Sequence, residues 1–245
     1  MTNKKEFARK RILVVGATGA LGSAIAKTFS FQGAELFLAG RDVSKLAVIA
    51  TELDATTISI DLAKIDSFDA AVDKIDALDG IVYAAGVAPL SPVKYLQEKH
   101  ISNCLQINAV SPLLLIRDLL RQKKINTPAS IVLISSLIAS RGASGYCAYA
   151  ASKGALEASA RCMAVELAPH KIRVNCLAPG MIESQMASQA GEQISKDILQ
   201  AHMNLYPLGP GYPQDVADAA TYLISEQSRW VTGAVLPVDG GYRAK

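Results

Sequence analysis

Residues 131–156 read IVLISSLIASRGASGYCAYAASKGAL, and the other predicted strands and helices are arranged around this stretch. It opens with a short β-branched run, Ile131 to Ile134, which is typical of a buried strand that breaks into small polar residues. After a glycine-containing connection, the alanine-rich part favours a helix. On that helix Tyr149 and Lys153 are about one turn apart and share a face.

The residue types in this stretch indicate proton donation to a carbonyl oxygen. A tyrosine titrates near ~10 when unperturbed, and a neighbouring ammonium, here that of Lys153, favours the phenolate and lowers the pKa. Ser136 lies at the end of the strand where open α/β sheets bind ligands, and its hydroxyl can donate to an oxygen that gains charge. The alternative is that Tyr149 and Lys153 form an ordinary surface pair on a helix.

The length of 245 residues and the hydrophobic content of 50% suit one α/β domain, residues 1–245, since no repeat or linker interrupts the chain. The formal charge of +3 indicates no nucleic-acid partner. No apolar run could span a membrane and the first residues do not resemble a signal peptide, so we expect a cytoplasmic location. The four cysteines form no C-x-x-C pair, which indicates reduced thiols and no structural metal.

Apolar strands alternate with helical patterns, which predicts an α/β fold with a Rossmann-type, doubly wound parallel sheet. The predicted strands cover residues 12–15, 35–39, 57–60, 80–83, 131–134, 173–177 and 235–238. Besides the helix of the opening stretch, helical patterns run from Gly22 to Phe31 and over 63–79, 102–121 and 213–225. The segment 181–211 is rich in Met, Gln and Ser, and we expect it to form a lid over a substrate pocket.

The first strand is followed by GATGALG at residues 16–22. Glycines at 16, 19 and 22 between a strand and a helix allow a tight turn that exposes backbone amides at a helix N-terminus, which is a phosphate-binding device. An ordinary strand-to-helix turn is the alternative. Small residues at 84–86, after another strand, similarly allow a flat ligand to approach the backbone.

The second strand ends at Gly40-Arg41, and this end predicts the choice of cofactor. An NAD site usually has a carboxylate there for the ribose hydroxyl, whereas a guanidinium suits a 2′-phosphate. The absence of a carboxylate at Gly40 and the presence of Arg41 therefore favour NADP(H) over NAD(H). Two alternatives remain: Asp42 supplies the carboxylate in a shifted register, or Arg41 is a solvated loop cation.

Together these pieces resemble the short-chain dehydrogenase/reductase family over nearly the whole chain. The matching pieces are GATGALG at 16–22, Asp61-Leu62, Ala84-Ala85-Gly86, Asn108, Ser136, Tyr149 with Lys153, Asn175 with Pro179-Gly180, and VTGAVLPVDGG at 231–241. Within the family the stretch VNCLAPGMIESQM at 174–186 is most similar to 3-oxoacyl-[acyl-carrier-protein] reductases.

The resemblance implies a role for each of four catalytic residues. Tyr149 would be the general acid in carbonyl reduction, and Ser136 would orient and polarise the carbonyl. Lys153 would lower the pKa of Tyr149 and hold the nicotinamide ribose. Asn108 would anchor a water in a proton relay that ends at Lys153, although a lone Asn in a helix is most often bonded locally.

The resemblance also implies the cofactor-binding residues. They are Gly16, Thr18, Gly19, Ala20, Leu21, Gly22, Arg41, Asp61, Leu62, Ala84, Ala85, Gly86, Tyr149, Lys153, Pro179, Gly180, Ile182 and Ser184. Such enzymes are commonly homotetramers, with the helices of Asn108 and Tyr149 in one interface. Lys123, Lys124 and Lys171 are either solvated charges or a dock for an acidic carrier protein.

Several residues depart from the family pattern. They are Val15, Ala20, Ala84, Ser184 and Pro210. Ala20 adds only a methyl group to a usual glycine, so we expect cofactor binding to survive. Ala84 replaces an asparagine and removes hydrogen bonds that steady the cofactor loop, which predicts weaker affinity. Elsewhere, we expect Trp230 to pack near the C-terminus.

The expected function is NADPH-dependent reduction of a carbonyl group to an alcohol. The resemblance implies a 3-oxoacyl thioester, small or carrier-bound, and hence fatty acid biosynthesis. One alternative is a dehydrogenase for a small ketone, a sugar or a steroid-like alcohol. A second alternative is a nucleotide-sensing binding protein without turnover, which would not need the four catalytic residues.

Overall fold

The computed structural model describes residues 5–183, 200–201 and 203–244. In this part of the chain seven parallel strands form one sheet, in the order β3-β2-β1-β4-β5-β6-β7. The strands are β1 Arg11–Val15, β2 Glu35–Gly40, β3 Thr56–Ser59, β4 Leu78–Tyr83, β5 Ile125–Ile134, β6 Ile172–Pro179 and β7 Val235–Val238. The predicted doubly wound parallel sheet is confirmed, and its order reverses between β1 and β4.

Helices cover both faces of the sheet. The α-helices are α1 Ala20–Phe31, α2 Val43–Leu53, α3 Phe68–Val72, α4 Glu98–Leu105, α5 Ser111–Arg121, α6 Cys147–Leu167 and α7 Pro213–Ile224. Leu13 and Val15 of β1 belong to the core that includes α3, α5 and α6, whereas Ile12 and Val14 belong to the core that includes α1, α2 and α7. This alternation is what a strand between two helical layers requires. Among the helices that are described, none is long and apolar enough to cross a membrane.

Two predicted elements differ from the structure. The pattern at 63–79 predicts one helix, but α3 ends at Val72, because Leu78 pairs with Ile125 and so starts β4. The central strand begins at Ile125 rather than 131, and its first half passes through a Thr127–Pro128 peptide bond. Proline and asparagine are depleted in strands, so this half of β5 has the composition of a turn.

The predicted helix over 102–121 is a continuous helical segment with an irregular centre. Between α4 and α5, residues Gln106–Val110 form a π-helical turn, called here the π turn. Asn108 lies in this turn and is fully buried. The π turn therefore places Asn108 at the irregular point of the helix, which the sequence pattern did not indicate.

One smaller expectation is corrected by the surface of the molecule. Trp230 does not pack near the C-terminus, because its side chain is 91% exposed. Of the four free cysteines, Cys104 and Cys176 are buried and Cys147 and Cys162 are exposed. Of the predicted lid at 181–211, residues 184–199 and 202 lie outside the described residues, as does the expected cofactor residue Ser184.

The glycine loop joins β1 to α1 through very close contacts. Gly16 has φ +82°, and a Cβ on it would lie 2.6 Å from the backbone nitrogen of Ala85. A Cβ on Gly22 would collide with the carbonyl oxygen of Gly16. Gly16 and Gly22 therefore allow α1 to start directly over β1, next to the loop that follows β4.

Gly22→Ala should displace the start of α1, since the added methyl group meets backbone rather than a flexible side chain. We expect the free energy of unfolding to fall by about 1–3 kcal/mol, as for overpacked sites. Gly142→Ala is the matched control, because a Cβ there has no atom within 4 Å. Chemical denaturation of both variants checks this; equal stabilities would contradict the contact.

Candidate active site

The side chains of Ser136, Tyr149 and Lys153 come together beside the carboxyl end of β5. Ser136 follows β5 and begins a short 3₁₀-helix, where its Oγ accepts from the backbone N–H of Ile138 at 3.3 Å. Tyr149 and Lys153 lie in the first two turns of α6, which begins at Cys147. The predicted helix with a shared Tyr–Lys face is thus present, and Lys153 is buried rather than part of a surface pair.

The pKa of the Tyr149 phenol is set mainly by burial. Burial raises the pKa of Tyr149 to about 12, and the hydrogen bond with the Ser136 side chain opposes this rise. The expected lowering by Lys153 is not found in this geometry; the Lys153 Nζ lies 5.8 Å from the centre of the Tyr149 ring. Tyr149 is therefore a neutral hydrogen-bond donor at neutral pH, as a general acid must be.

Lys153 is held inside the molecule by the end of the central strand. Its Nζ donates to the carbonyl oxygen of Ile134 at 2.6 Å. Burial lowers the pKa of Lys153 to about 8, although Cys176, Cys104 and Glu157 oppose this shift. Its ammonium therefore gives up a proton far more readily than that of an exposed lysine.

Asn108 joins the loop after β4 to the helix that carries Tyr149. Its Oδ1 accepts from the backbone N–H of Val87 at 2.9 Å, and its Nδ2 donates to the Val87 carbonyl and to Ser152 Oγ, both at 2.9 Å. The Ser152 hydroxyl in turn donates to the carbonyl of Tyr149 at 2.8 Å. The bonding is long-range rather than local, so Asn108 fixes the loop against α6. Its expected role in anchoring a relay water stays a prediction.

Most of the expected cofactor residues lie where strands end at the carboxyl edge of the sheet, while Arg41 follows β2 and Tyr149 and Lys153 lie on α6. The segments at the ends of β1, β3, β4 and β6 are Gly16–Gly22, which runs into the first turn of α1, Asp61–Leu62, Ala84–Gly86, and Pro179–Ile182, which starts at the last residue of β6. A Cβ on any glycine of these segments would meet a neighbour within 3.4 Å; at Gly16 it would meet the backbone of Ala85, at Gly22 that of Gly16, and at Gly86 Asn108 Oδ1 and Lys153 Nζ. Loops kept this free of side chains, at the point where the strand order reverses, fit a dinucleotide.

The last residue of β2 decides where Gly40, Arg41 and Asp42 lie relative to the strand. Gly40 is the last residue of β2, and Arg41 follows it with an exposed side chain. Asp42 caps α2, since its Oδ1 accepts from the backbone N–H of Lys45 at 3.0 Å, and this bond lowers the pKa of Asp42. The carboxylate of Asp42 is thus bonded to the first turn of α2. This disfavours the alternative in which Asp42 supplies the carboxylate that binds the ribose hydroxyl of the cofactor.

The loop that follows β6 has a partner that the sequence did not reveal. Tyr206 Oη accepts from the backbone N–H of Met181 at 3.1 Å, and its ring would be 2.7 Å from a Cβ on Gly180. Ile182 forms a parallel bridge with Gly211 on the other side. Tyr206 follows β6 by more than twenty residues without a motif, so no spacing signal could have found it.

The three lysines considered for carrier docking lie at the wrong edge of the sheet. Lys123 and Lys124 precede β5, and Lys171 precedes β6, so all three are at the amino ends of these strands. Ser136 and the Tyr149–Lys153 pair lie at the carboxyl ends. The docking interpretation of these lysines therefore receives no support from their position.

The chain is similar to known proteins over most of its sequence. A family model described as Enoyl-(Acyl carrier protein) reductase matches residues 16–243. The chain is 31% identical to the 3-oxoacyl-[acyl-carrier-protein] reductase of Rickettsia felis, over 95% of this chain and 96% of that protein. It is 30% identical to the L-xylulose reductase of Bos taurus, over 97% of this chain and 98% of that protein.

A solved structure shows the same architecture. It is a short-chain dehydrogenase/reductase from Brucella melitensis described as a glucose/ribitol dehydrogenase. The TM-score is 0.90 at 31% identity, covering 97% of this chain and 98% of that chain. The likeness thus extends over both the cofactor loops and the Tyr–Lys helix.

Lys153→Met should change how stability depends on pH. Since burial lowers the pKa of Lys153 to about 8, the folded protein releases this proton at a lower pH than the unfolded chain, whose lysine titrates near ~10.4. Wild-type stability therefore gains from this site as pH rises above 8, at about 1.4 kcal/mol per pH unit, and the methionine variant lacks that gain.

We expect the stability of the variant relative to wild type to fall by roughly 2 kcal/mol between pH 7 and 9.5. Denaturant titrations at several pH values measure it. Lys99→Met removes an exposed lysine from α4 and is the control. Parallel curves for wild type and the Lys153 variant would show that the buried amine does not titrate in this range.

Proposed function

Since the chain belongs to the short-chain dehydrogenase/reductase family and is an NAD(P)-dependent oxidoreductase, we propose that it reduces the 3-oxo group of an acyl thioester with NADPH. The observation that carries the proposal is the Tyr149 phenol beside the Ser136 side chain and the buried Lys153, whose Nζ lies 5.8 Å from the centre of the Tyr149 ring. The relative from Rickettsia felis, named for 3-oxoacyl-[acyl-carrier-protein] reduction, supports this substrate class. Such a reduction would belong to fatty acid biosynthesis.

A reduced nicotinamide held by these residues would supply the hydride that reduces the carbonyl carbon. The residues of the chain act on the oxygen, which gains negative charge as the carbon is reduced. Ser136 donates a hydrogen bond to it, and Tyr149 transfers its proton. A pKa of about 12 keeps Tyr149 protonated until that oxygen becomes basic enough to take the proton.

Lys153 completes the proton transfer. A pKa of about 8 lets its ammonium pass a proton on to the Tyr149 phenolate at near-neutral pH. Through its bonds to Val87 and Ser152, Asn108 holds the loop that follows β4 against α6 during this step. We propose that a water held near Asn108 returns the proton to Lys153.

Arg41 and the absence of a carboxylate at Gly40 support NADPH as the reductant. We propose a homotetramer in which the helices around Asn108 and α6 meet a second copy; Ile101, Val110 and Val165 are partly or largely exposed on these helices. The four free cysteines are consistent with a reducing cytoplasm.

Reduction of a sugar ketone is the second candidate, because the L-xylulose reductase of Bos taurus is 30% identical to the chain. A substrate panel with NADPH oxidation as the readout separates the two candidates. Acetoacetyl thioesters, alone and on acyl carrier protein, represent the first, and L-xylulose represents the second. Faster turnover of the sugar would overturn the thioester assignment.

Tyr149→Phe removes only the transferable proton and its hydrogen bond. We expect kcat to fall by at least about 100-fold, in line with lost general acid catalysis, while the dissociation constant for NADPH stays within about twofold of wild type. Tyr146→Phe is the matched control, because its ring lies 6.1 Å from that of Tyr149 and it also sits at the start of α6. A Tyr149 variant that keeps most of the wild-type kcat would exclude this residue as the acid.

Arg41→Ala should reduce the preference for NADPH over NADH. A charge-assisted contact with the 2′-phosphate, screened by solvent at this exposed position, predicts a loss of roughly tenfold in kcat/KM for NADPH. The kcat/KM for NADH, which lacks that phosphate, should not change and serves as the internal control. A wild-type preference for NADH, or an NADPH preference unaffected by the substitution, would contradict the role of Arg41.

A further inference from the structure

The π turn between α4 and α5 has a hydrogen-bonding pattern that the catalytic roles above do not use. The backbone N–H of Ser111 bonds to the carbonyl of Gln106, five residues earlier, as a π-helix requires. The wider turn leaves backbone carbonyls open to side chains from other elements. One of these is the carbonyl of Ile107, which accepts from Tyr83 Oη at 2.7 Å.

On one side the π turn holds the loop that follows β3. Ser111 is fully buried, and its Oγ lies 2.6 Å from the carbonyl oxygen of Leu62 and 2.7 Å from that of Gln106. A hydroxyl has one proton to donate. The hydroxyl therefore donates to one of these two carbonyls at a time, and the shorter of the two distances, 2.6 Å, is to Leu62.

On the other side the π turn holds the loop that follows β4. Tyr83 is the last residue of β4 and is buried, and its bond to Ile107 fixes the chain just before Ala84. Asn108, the next residue of the turn, fixes the chain at Val87 through two hydrogen bonds of 2.9 Å. Residues 84–86 are thus tied at both ends to neighbouring residues of one helical turn.

In a doubly wound sheet a dinucleotide lies across the reversal of strand order, here between β1 and β4, with its adenosine towards the end of β2. Leu62 therefore borders the adenosine half, and Ala84–Gly86 border the nicotinamide half. We propose that the π turn with Ser111 is one positioning element for both halves of the cofactor groove, in which Ser111 sets the Leu62 loop and Tyr83 sets the Ala84–Gly86 loop.

Tyr83 and Ser111 act through backbone and are positioning residues. The inference rests on the dinucleotide site of the proposed function, but not on its substrate or on its preference for a 2′-phosphate. The phenol of Tyr83 also tethers the loop from the position next to Ala84, where the family's asparagine is missing.

The test compares Ser111→Ala and Tyr83→Phe, with two probes that bind without turnover. NADPH and NADH report on the whole groove through their fluorescence, and adenosine 5′-diphosphate, measured by competition, reports on the adenosine half. Loss of one buried hydroxyl-to-carbonyl bond predicts a rise of about 5–10-fold in a dissociation constant. Ser111→Ala should raise it for all probes, whereas Tyr83→Phe should raise it for NADPH and NADH and leave adenosine 5′-diphosphate unchanged.

Ser130→Ala is the matched control. Ser130 is also buried, and its hydroxyl donates to the carbonyl of Leu223 at 2.7 Å, in the middle of β5 and away from both loops. It should lower Tm without changing any dissociation constant. If all three variants weaken every probe alike, the effect is general destabilisation and the inference is wrong; it is also wrong if Ser111→Ala leaves adenosine 5′-diphosphate unaffected.

Ser111→Cys covers the case in which the alanine variant does not fold, since a thiol fills the site with a slightly larger group that is only a weak donor. Wild-type affinity for adenosine 5′-diphosphate in Ser111→Cys would overturn the role of the hydroxyl. Normal dinucleotide binding by wild type without turnover of any thioester would overturn only the proposed substrate. A wild-type protein that binds neither NADPH nor NADH would overturn this inference together with the proposed cofactor.

Discussion

Burying the ammonium of Lys153 places a constraint on every element around it. An amine taken out of water must find a partner, and the carbonyl of Ile134, at the end of the central strand, supplies one at 2.6 Å. Space for it depends on Gly86, where a Cβ would lie 3.4 Å from Nζ. The strand end, the loop after β4 and the helix α6 must therefore all be in place before this lysine can be accommodated.

The loops around the lysine are fixed by buried polar groups rather than by apolar packing. The carboxamide of Asn108 makes three hydrogen bonds, to Val87 and to Ser152, and the hydroxyl of Ser152 makes one more, to Tyr149. Each of these groups would be costly to bury alone, so the set favours one arrangement over alternatives. The Tyr149 helix and the cofactor loop are in this way joined through a residue that belongs to neither.

The sequence predicts what depends on local pattern. The period of apolar residues located the strands, with β7 at 235–238 matching its predicted bounds, and the alanine-rich run located the helix of Tyr149. The π turn could not be predicted, because the contacts made there by Tyr83 and Ser111 join residues 24 and 49 positions apart. The rise in the pKa of Tyr149 likewise depends on burial by distant segments, whereas the sequence offers only its neighbour Lys153.

The two shifted pKa values have a common cause and a chemical consequence. Burial favours the neutral form of both groups, so it raises the pKa of Tyr149 to about 12 and lowers that of Lys153 to about 8. A tyrosine that holds its proton firmly suits the donor role in carbonyl reduction and opposes the proton abstraction needed for alcohol oxidation. A lysine that exchanges its proton near neutral pH can replenish that donor. Burial thus gives a firmly held proton and a readily exchanged one on two groups that lie one helical turn apart.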